Sequence, residues 1–509
     1  MRNGWKQAVA CLLLCIFFTT ALTAPAQAAS PSFSDVPASC WAAGEITRAV
    51  QAGLFQGETA RTFGLGHRMT RAAFVTVLCR LFGWQTVTPD RGSFTDNQNK
   101  SAWYYSAVET AVAEGALSRQ DSVFRPDDPV TREEIAVMLV RALGCGTIAG
   151  LSQGLSLPFT DVVSNAGYLS MAYRLGIVGG TSPTTFSPNA PATREQAAVM
   201  LMRVYDKLHS SAALRLGVAK SADGLTDLSG LDAVAVSAAT LSCSGSMTCM
   251  YTMSYADRAE IRWEARNAGA LSLLGVTGGS AQLGFQTAAA AQAIADQVEE
   301  DDWDGVLLDF SGLSAARRED YTGLVTTLKS ALGRRPLYVV AEAPVSGGAT
   351  SGGYDYAALG QQADGLILRV AGRSEVSGSF PILSPEPLED VYYAMASAAQ
   401  TVDPSKLSLW LTTTGSAWAG NRATGSVPAE EIEALLASPD VSVYRSERYG
   451  SAYLVRTVKD SRTVVWYNDG EGAALRMRLA AFLGSGGLCL SDLSSVADEA
   501  DYSLRGVLK

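Results

Sequence analysis

Histidine is almost missing from this chain: 509 residues hold two, His67 and His209. That scarcity argues against a histidine-rich metal centre and a Ser-His-Asp triad, and no zinc-type spacing is found instead, so neither metal nor cofactor is expected. Positive charge is also short. Forty Lys and Arg against fifty Asp and Glu give −10, which argues against a nucleic-acid partner, since such binding rests on cations neutralising phosphates. Past residue 29 the long charge-free runs are broken by Ser, Thr, Gly and Gln, and none is apolar throughout the roughly 20 residues of a membrane span.

The first 29 residues carry Arg2 and Lys6, an apolar run from Val9 to Ala24, and Ala26-Gln27-Ala28 before Ala29. This is the pattern of a secretory signal peptide, and without it the charge becomes 38 − 50 = −12. The mature chain is expected to be secreted and to lack a transmembrane segment. Cys11 and Cys15 do not fit a lipid-attachment site. Six cysteines remain, of which Cys243 and Cys249 flank Ser244-Gly245-Ser246. A hairpin there is compatible with a disulfide or with two thiols. The length predicts two or more domains.

The front of the chain is a threefold repeat. Phe33-Ser34-Asp35, Phe94-Thr95-Asp96 and Phe159-Thr160-Asp161 open the units. Trp41, Trp103 or Tyr168 follows, then Gly53, Gly115 or Gly176, then a Phe at 63, 124 or 186. Met69-Thr70-Arg71-Ala72, Val130-Thr131-Arg132-Glu133 and Ala192-Thr193-Arg194-Glu195 close them. A period above fifty residues means one supersecondary unit copied. Apolar spacing makes each unit helix, loop, helix, with Thr70, Thr131 and Thr193 as N-caps and Glu134 completing a capping box. The arginines oppose the helix dipole, so an acid is expected to compensate each.

Residues 31–208 resemble the S-layer homology (SLH) module, with its Thr-Arg-Ala-Glu signature and an aromatic stretch such as Thr185-Phe186-Ser187-Pro188. The resemblance implies an all-α three-repeat bundle (about 31–84, 92–147 and 157–208) whose grooves hold secondary cell-wall polysaccharide, pyruvylated in that family. It further implies that Arg71, Arg132 and Arg194 contact the anionic sugar, as a guanidinium fork beside helix N–H groups can. Trp41 and Trp103 suit the core of a helical repeat better than a sugar-stacking face, the other role open to them. The first copy departs most, with Gly64-Leu65-Gly66-His67 in place of a Pro-containing loop and Ala73 in place of the acid.

Residues 209–230 read as a linker. From 231 to 509 apolar runs alternate with helical segments: strands at 233–239, 271–276, 305–310, 337–341, 365–370, 407–412, 463–467 and 487–490, separated by helices. Eight doubly buried strands in about 270 residues predict a (β/α)₈ TIM-type barrel. Trp303-Asp304-Gly305-Val306-Leu307-Leu308-Asp309-Phe310 resembles the Asp-Gly-x-Asp-x-Asp-x-Glu strand of glycoside hydrolase family 18, in its spore-cortex and cell-wall branch. In that family the Glu protonates the leaving oxygen while an Asp orients the substrate's N-acetyl group. Here Asp304 and Asp309 match, Leu307 replaces the second acid, and Ser311 stands at the proton donor. Arg369-Val370-Ala371-Gly372 replaces Met-x-Tyr-Asp, and Ser491 the final Trp.

A serine cannot supply that proton, so the resemblance implies a degenerate barrel that binds glycan without cleaving it. Asp309, Ser311, Trp410, Trp418 and Trp466 would form its mouth, taking a peptidoglycan or chitin-like chain. If the barrel were an active hydrolase, Glu342 or Asp492 would act with Asp309 and Asp304. The alternative for the two aspartates is to satisfy loop N–H groups or to pair with Arg369. A purely structural S-layer component is the third reading, and it requires Trp410 and Trp418 to be buried. All three place the chain at the cell wall or S-layer.

Overall fold

The computed structural model describes residues 33–496 except 152–156, 210–213, 226, 245, 284–285, 344–351, 373, 378–379, 420–421, 460 and 486, together with Leu504. The signal-peptide reading of residues 1–29, with Cys11 and Cys15, lies outside the described residues. The N-terminal region is helical: α1 (Ala43–Gln51), α2 (Arg71–Phe82), α3 (Tyr105–Ala113), α4 (Arg132–Ala142), the short α5 (Gly146–Leu151), α6 (Ala166–Arg174) and α7 (Arg194–Leu208). Thr70 Oγ1 accepts from Ala73 N at 3.2 Å, and Thr131 forms the expected capping box with Glu134. Gly53, Gly115 and Gly176 take φ of 71°, 74° and 69° after the first helix of each repeat, where a Cβ would be strained.

The three units close into a ring. The second helix of each repeat packs on the first helix of the next: α2 on α3, α4 on α6, and α7 back on α1. Backbone bridges repeat that order, pairing Thr70 with Pro129, Thr131 with Pro191 and Arg68 with Thr193. A single repeat could not bury its apolar stripe; three in a circle leave Phe63, Phe124 and Phe186 all but fully buried.

The second region is a closed barrel of eight parallel strands. These are β1 (Arg215–Ala219), β2 (Ala233–Ser244), β4 (Leu271–Gly279), β5 (Gly305–Ser311), β6 (Leu337–Glu342), β7 (Gly365–Arg369), β10 (Leu407–Leu411) and β16 (Gly487–Leu490), with β1 pairing both β16 and β2. Helices α8 (Tyr255–Asn267), α9 (Thr287–Glu300), α10 (Arg318–Leu332), α11 (Tyr356–Gln362), α12 (Leu388–Ala398) and α14 (Gly470–Phe482) connect them. Two boundaries differ from the sequence reading. The stretch 209–230 contains β1, the strand that shuts the barrel. Residues 463–467 belong instead to β15 (Ser461–Tyr467) of an antiparallel insert with β11 (Gly415–Ala419), β12 (Arg422–Val427), β13 (Val441–Ser446) and β14 (Ser451–Val458), backed by α13 (Ala429–Leu436).

A small hairpin, β8 (Glu375–Ser377) and β9 (Phe380–Ile382), follows β7. The hairpin expected around Gly245 is formed by β2 and β3 (Ser246–Tyr251), but its register sets Cys249 opposite Leu241 and Cys243 opposite Met247, and Cys249 is a free thiol. Repeats and barrel also touch. Lys207 Nζ donates to the carbonyl of Phe482 at 2.6 Å, and a Cβ at Gly144 would lie 2.7 Å from Leu475. No helix among the described residues is long and apolar enough to cross a membrane.

Candidate functional site

Each signature arginine leaves the start of its own helix and reaches into the next repeat. Arg71 Nε donates to the carbonyl of Phe124 at 2.7 Å, Arg132 Nε to that of Phe186 at 2.9 Å, and Arg194 Nε to that of Phe63 at 2.9 Å. Each guanidinium lies over the ring of the same Phe, 5.1, 4.8 and 4.9 Å from its centroid. Second donors of Arg132 and Arg194 reach the carbonyls of Gly179 at 2.6 Å and Gln56 at 2.8 Å. The arginines therefore tie the ring together, a task the sequence reading did not give them. Burial holds all three below the usual guanidinium value.

An acid compensates Arg71, through Glu134, and Arg194, whose Nε is 3.8 Å from Glu58. For Arg132 the expectation fails: among the described residues no carboxylate is within ion-pair distance, and carbonyls take its protons.

The opening Phe-x-Asp motifs explain why the Phe carbonyls point at the arginines. Asp35 accepts from the N–H groups of Phe63, Gly64 and Leu65, Asp96 from Phe124 and Arg125, and Asp161 from Phe186 and Ser187, all at 2.7 to 3.0 Å. These aspartates were landmarks in the sequence, but their role needed the turn they hold. Burial pushes Asp35 up, yet its backbone donors outweigh that and leave it below the usual carboxylate range; the N–H of Phe186 chiefly lowers Asp161. Because the folded values are depressed, this stabilisation is complete above the ordinary aspartate pKa of 3.8 and is lost as pH falls through the lower folded values. Far-UV dichroism should thus record a loss of repeat helicity below that point, smaller in an Asp35→Asn/Asp161→Asn chain. Identical acid titrations of the two proteins would contradict this.

Between repeats lie grooves. One of 180 Å³ is lined by Arg194, Gln56, Glu58, Arg80 and Trp103; another of 260 Å³ by Arg71, Asp121, Arg125, Glu133, Glu134 and Arg141. Trp41 and Trp103 are not core residues, as the sequence favoured, but are 67% and 66% exposed. Each stands two residues before its helix, and that step in the third repeat is Ser164, not Tyr168, which lies inside α6 beneath Arg141. The Gly64–His67 departure is accommodated: Gly66 N donates to Glu195 at 3.0 Å, and His67 Nδ1 is 2.8 Å from Glu58.

At the barrel, strand polarity separates the acids. Asp304 precedes β5, at the end opposite the mouth, and its Oδ2 accepts from the N and Oγ of Ser272 at 2.8 and 2.7 Å. It is structural, and the candidate catalytic role is withdrawn. Asp492 accepts from the N and Oγ of Ser494, with Lys220 Nζ 3.7 Å away.

Asp309 does face the interior, where it is ion-paired with Arg369, whose guanidinium lies 4.2 Å from the centre of the Trp410 ring. Its Oδ1 is buried without a partner among the described residues. The strand register sets Asp309 beside Val340, and carried two residues on it sets Glu342 level with Ser311; Glu342 Oε1 accepts from Gly312 N at 2.9 Å.

The aromatic mouth foreseen in the sequence is not assembled. Trp410 is 6% exposed within the barrel interior, beside Leu307 and Val340. Trp466 is 2% exposed in the insert, donating to the carbonyl of Pro381 at 3.0 Å, and Trp418 is half-buried there. Two buried ions escaped notice. Glu386, 1% exposed, accepts from Thr412 N, Thr412 Oγ1 and Asn468 Nδ2, and burial raises it above the usual range. Arg476 beside it is fully buried. Neither lies in a motif, and only the packing of insert on barrel reveals them.

The family model of the S-layer homology domain matches residues 32–75, 93–136 and 158–198. The N-terminal region thus consists of three S-layer homology repeats, and the chain is a cell-surface, S-layer-associated protein. Similar curated proteins include an endoglucanase of Bacillus sp. (strain KSM-635), 29% identical over 39% of this chain and 22% of that one. The S-layer protein sap of Bacillus anthracis is 23% identical over 43% and 26%. The chain therefore spans about a quarter or less of these relatives.

Among solved structures, a chitinase from Chromobacterium violaceum ATCC 12472 is 18% identical with a TM-score of 0.47, over 56% of this chain and 96% of that one. The spore cortex-lytic enzyme SleL of Bacillus megaterium QM B1551 is 14% identical with a TM-score of 0.46, over 67% and 83%. Likeness at that level defines neither activity nor substrate, and the barrel is defined by its own strand order.

Proposed function

We propose that this is a wall-anchored surface protein whose repeats hold an anionic secondary cell-wall polysaccharide, pyruvylated as in the family resemblance, and whose barrel is a non-hydrolytic glycan-binding module. The observation that carries the barrel reading is the Asp309–Arg369 ion pair over Trp410, with Ser311 above it. The ion pair commits one oxygen of Asp309 to Arg369 and so competes with orienting an N-acetyl group, and a hydroxyl is too weak an acid to protonate a glycosidic oxygen. Purified chain should bind peptidoglycan fragments or N-acetylglucosamine oligomers on an array and release no reducing ends. Absence of binding to any such glycan would leave the scaffold reading, which the burial of Trp410 supports.

One observation favours a hydrolase: Glu342 at the level of Ser311. Against it, the Glu342 carboxylate accepts a backbone N–H, the posture of a turn-holding group rather than a proton source. Turnover that disappears in both Asp309→Asn and Glu342→Gln would establish that reading and end ours.

A further inference from the structure

The pseudo-threefold ring permits a comparison that no single groove allows, because the same positions recur with different charges. Around Arg71, position three of the following helix is Glu134, which is ion-paired with the guanidinium, and Glu133 and Asp121 line the same groove. Around Arg194 the corresponding helix position is Ala73, but the loop supplies Glu58 at 3.8 Å. Around Arg132 both positions are neutral, with Gln196 in the Glu134 place and Thr181 in the Glu58 place, while Glu195, in the Glu133 place, is buried and accepts from Gly66 N. A further arginine, Arg203, stands where Arg141 and Arg80 stand in the other two grooves, so the grooves differ in their acids and not in this cation. The nearest negative influence is Asp161, whose two oxygens are taken by the N–H groups of Phe186 and Ser187. Because α7 packs on α1 as α2 packs on α3, the pseudo-threefold correspondence gives the exposed Trp41 the step at this third groove that Trp103 holds at the Arg194 groove.

We infer that the three grooves are not equivalent, and that the one built on Arg132, Arg203 and Trp41 is the principal site for a carboxylate-bearing sugar, the other two being neutralised by their own acids. The inference rests on the proposed anchoring role and specifies which groove performs it. A cation already bonded to a carboxylate must exchange one anion for another and gains little. Arg132, bonded only to carbonyls, gains a charge-assisted contact outright.

The test swaps acids between grooves in the full chain. Gln196→Glu should keep the helix cap, since Glu134 performs that task in the middle repeat, while placing an acid beside Arg132. Binding to purified wall polysaccharide should weaken about tenfold, the equivalent of roughly 1.4 kcal/mol. Trp41→Ala should weaken it similarly, and Trp103→Ala should change it less than about twofold. Glu134→Gln should strengthen binding by freeing Arg71.

Equal losses in the Trp41 and Trp103 variants, or full binding by Gln196→Glu with an unchanged melting temperature, would overturn the assignment while leaving the anchor intact. Failure of the wild-type chain to bind the polysaccharide at all would instead remove the anchor itself.

Discussion

Replacing Arg476 by Met is expected to destabilise the protein by about 3–5 kcal/mol, the usual cost of orphaning one side of a buried charge network. The side chain has no exposed surface, and its donors go to the carbonyls of Glu386 at 2.7 Å, Gly450 at 2.6 Å, Gly472 at 2.9 Å and Tyr449 at 3.1 Å, and to Ser451 Oγ at 2.7 Å. Burial drags its pKa down to about 10, so it remains charged at neutral pH. A methionine fills the volume but answers none of these acceptors, and each buried carbonyl left unpaired costs about 1–3 kcal/mol. Lysine should not rescue it, because one ammonium cannot span acceptors arranged around a planar fork. The losses should be local as well as global. Arg476 joins α14 to the β13–β14 turn and to the loop before α12, so proteolysis should open the insert before the barrel. A denaturation midpoint within about 1 kcal/mol of wild type would show that the network is incidental.

The second large effect concerns Arg132 and Arg194. Changing both to Ala should release the chain from purified walls, and the ring geometry predicts a cause beyond lost sugar contacts. Each arginine clamps two carbonyls of the following repeat and covers a buried Phe. Each deletion should therefore cost about 2–4 kcal/mol through unpaired acceptors and a cavity beside the ring. Release and loss of repeat helicity should go together on heating. Retention by a double variant whose melting temperature has fallen would mean that the arginines build the grooves without touching the ligand. Release at unchanged stability would mean the reverse, and would refute the clamp. Arg→Lys at either site should behave nearly as badly as Arg→Ala, since the two-carbonyl reach is lost.

Much of the architecture is legible in the order of the residues. The Phe-x-Asp, Gly and Thr-Arg landmarks recur with enough regularity to announce three copies, and seven of the eight barrel strands lie where apolar runs alternate with helical segments. The misses have physical reasons. Strand β1, Arg-Leu-Gly-Val-Ala, is five residues long in a stretch rich in Ser, Ala and Gly, and so has no periodicity to distinguish it from a tether. Strand β15 mimics a barrel strand because its apolar residues face α13 on one side and stacked aromatics on the other, which erases the usual alternation. The tryptophans mislead for a related reason: an aromatic residue at a helix entry carries no mark of which side will be covered.

What the residues by themselves determined is local: helix caps, the turns that need glycine, the erosion of Glu to Ser at position 311, and the copy number of the front unit. These depend on neighbours within a few positions. Only the tertiary structure decided what the charged groups do, because their partners are remote in the chain. Arg194 is answered by Phe63, Asp309 by Arg369 and Arg476 by Glu386, and the energy of a buried charge is set by whichever acceptors the closed ring and the closed barrel bring to it.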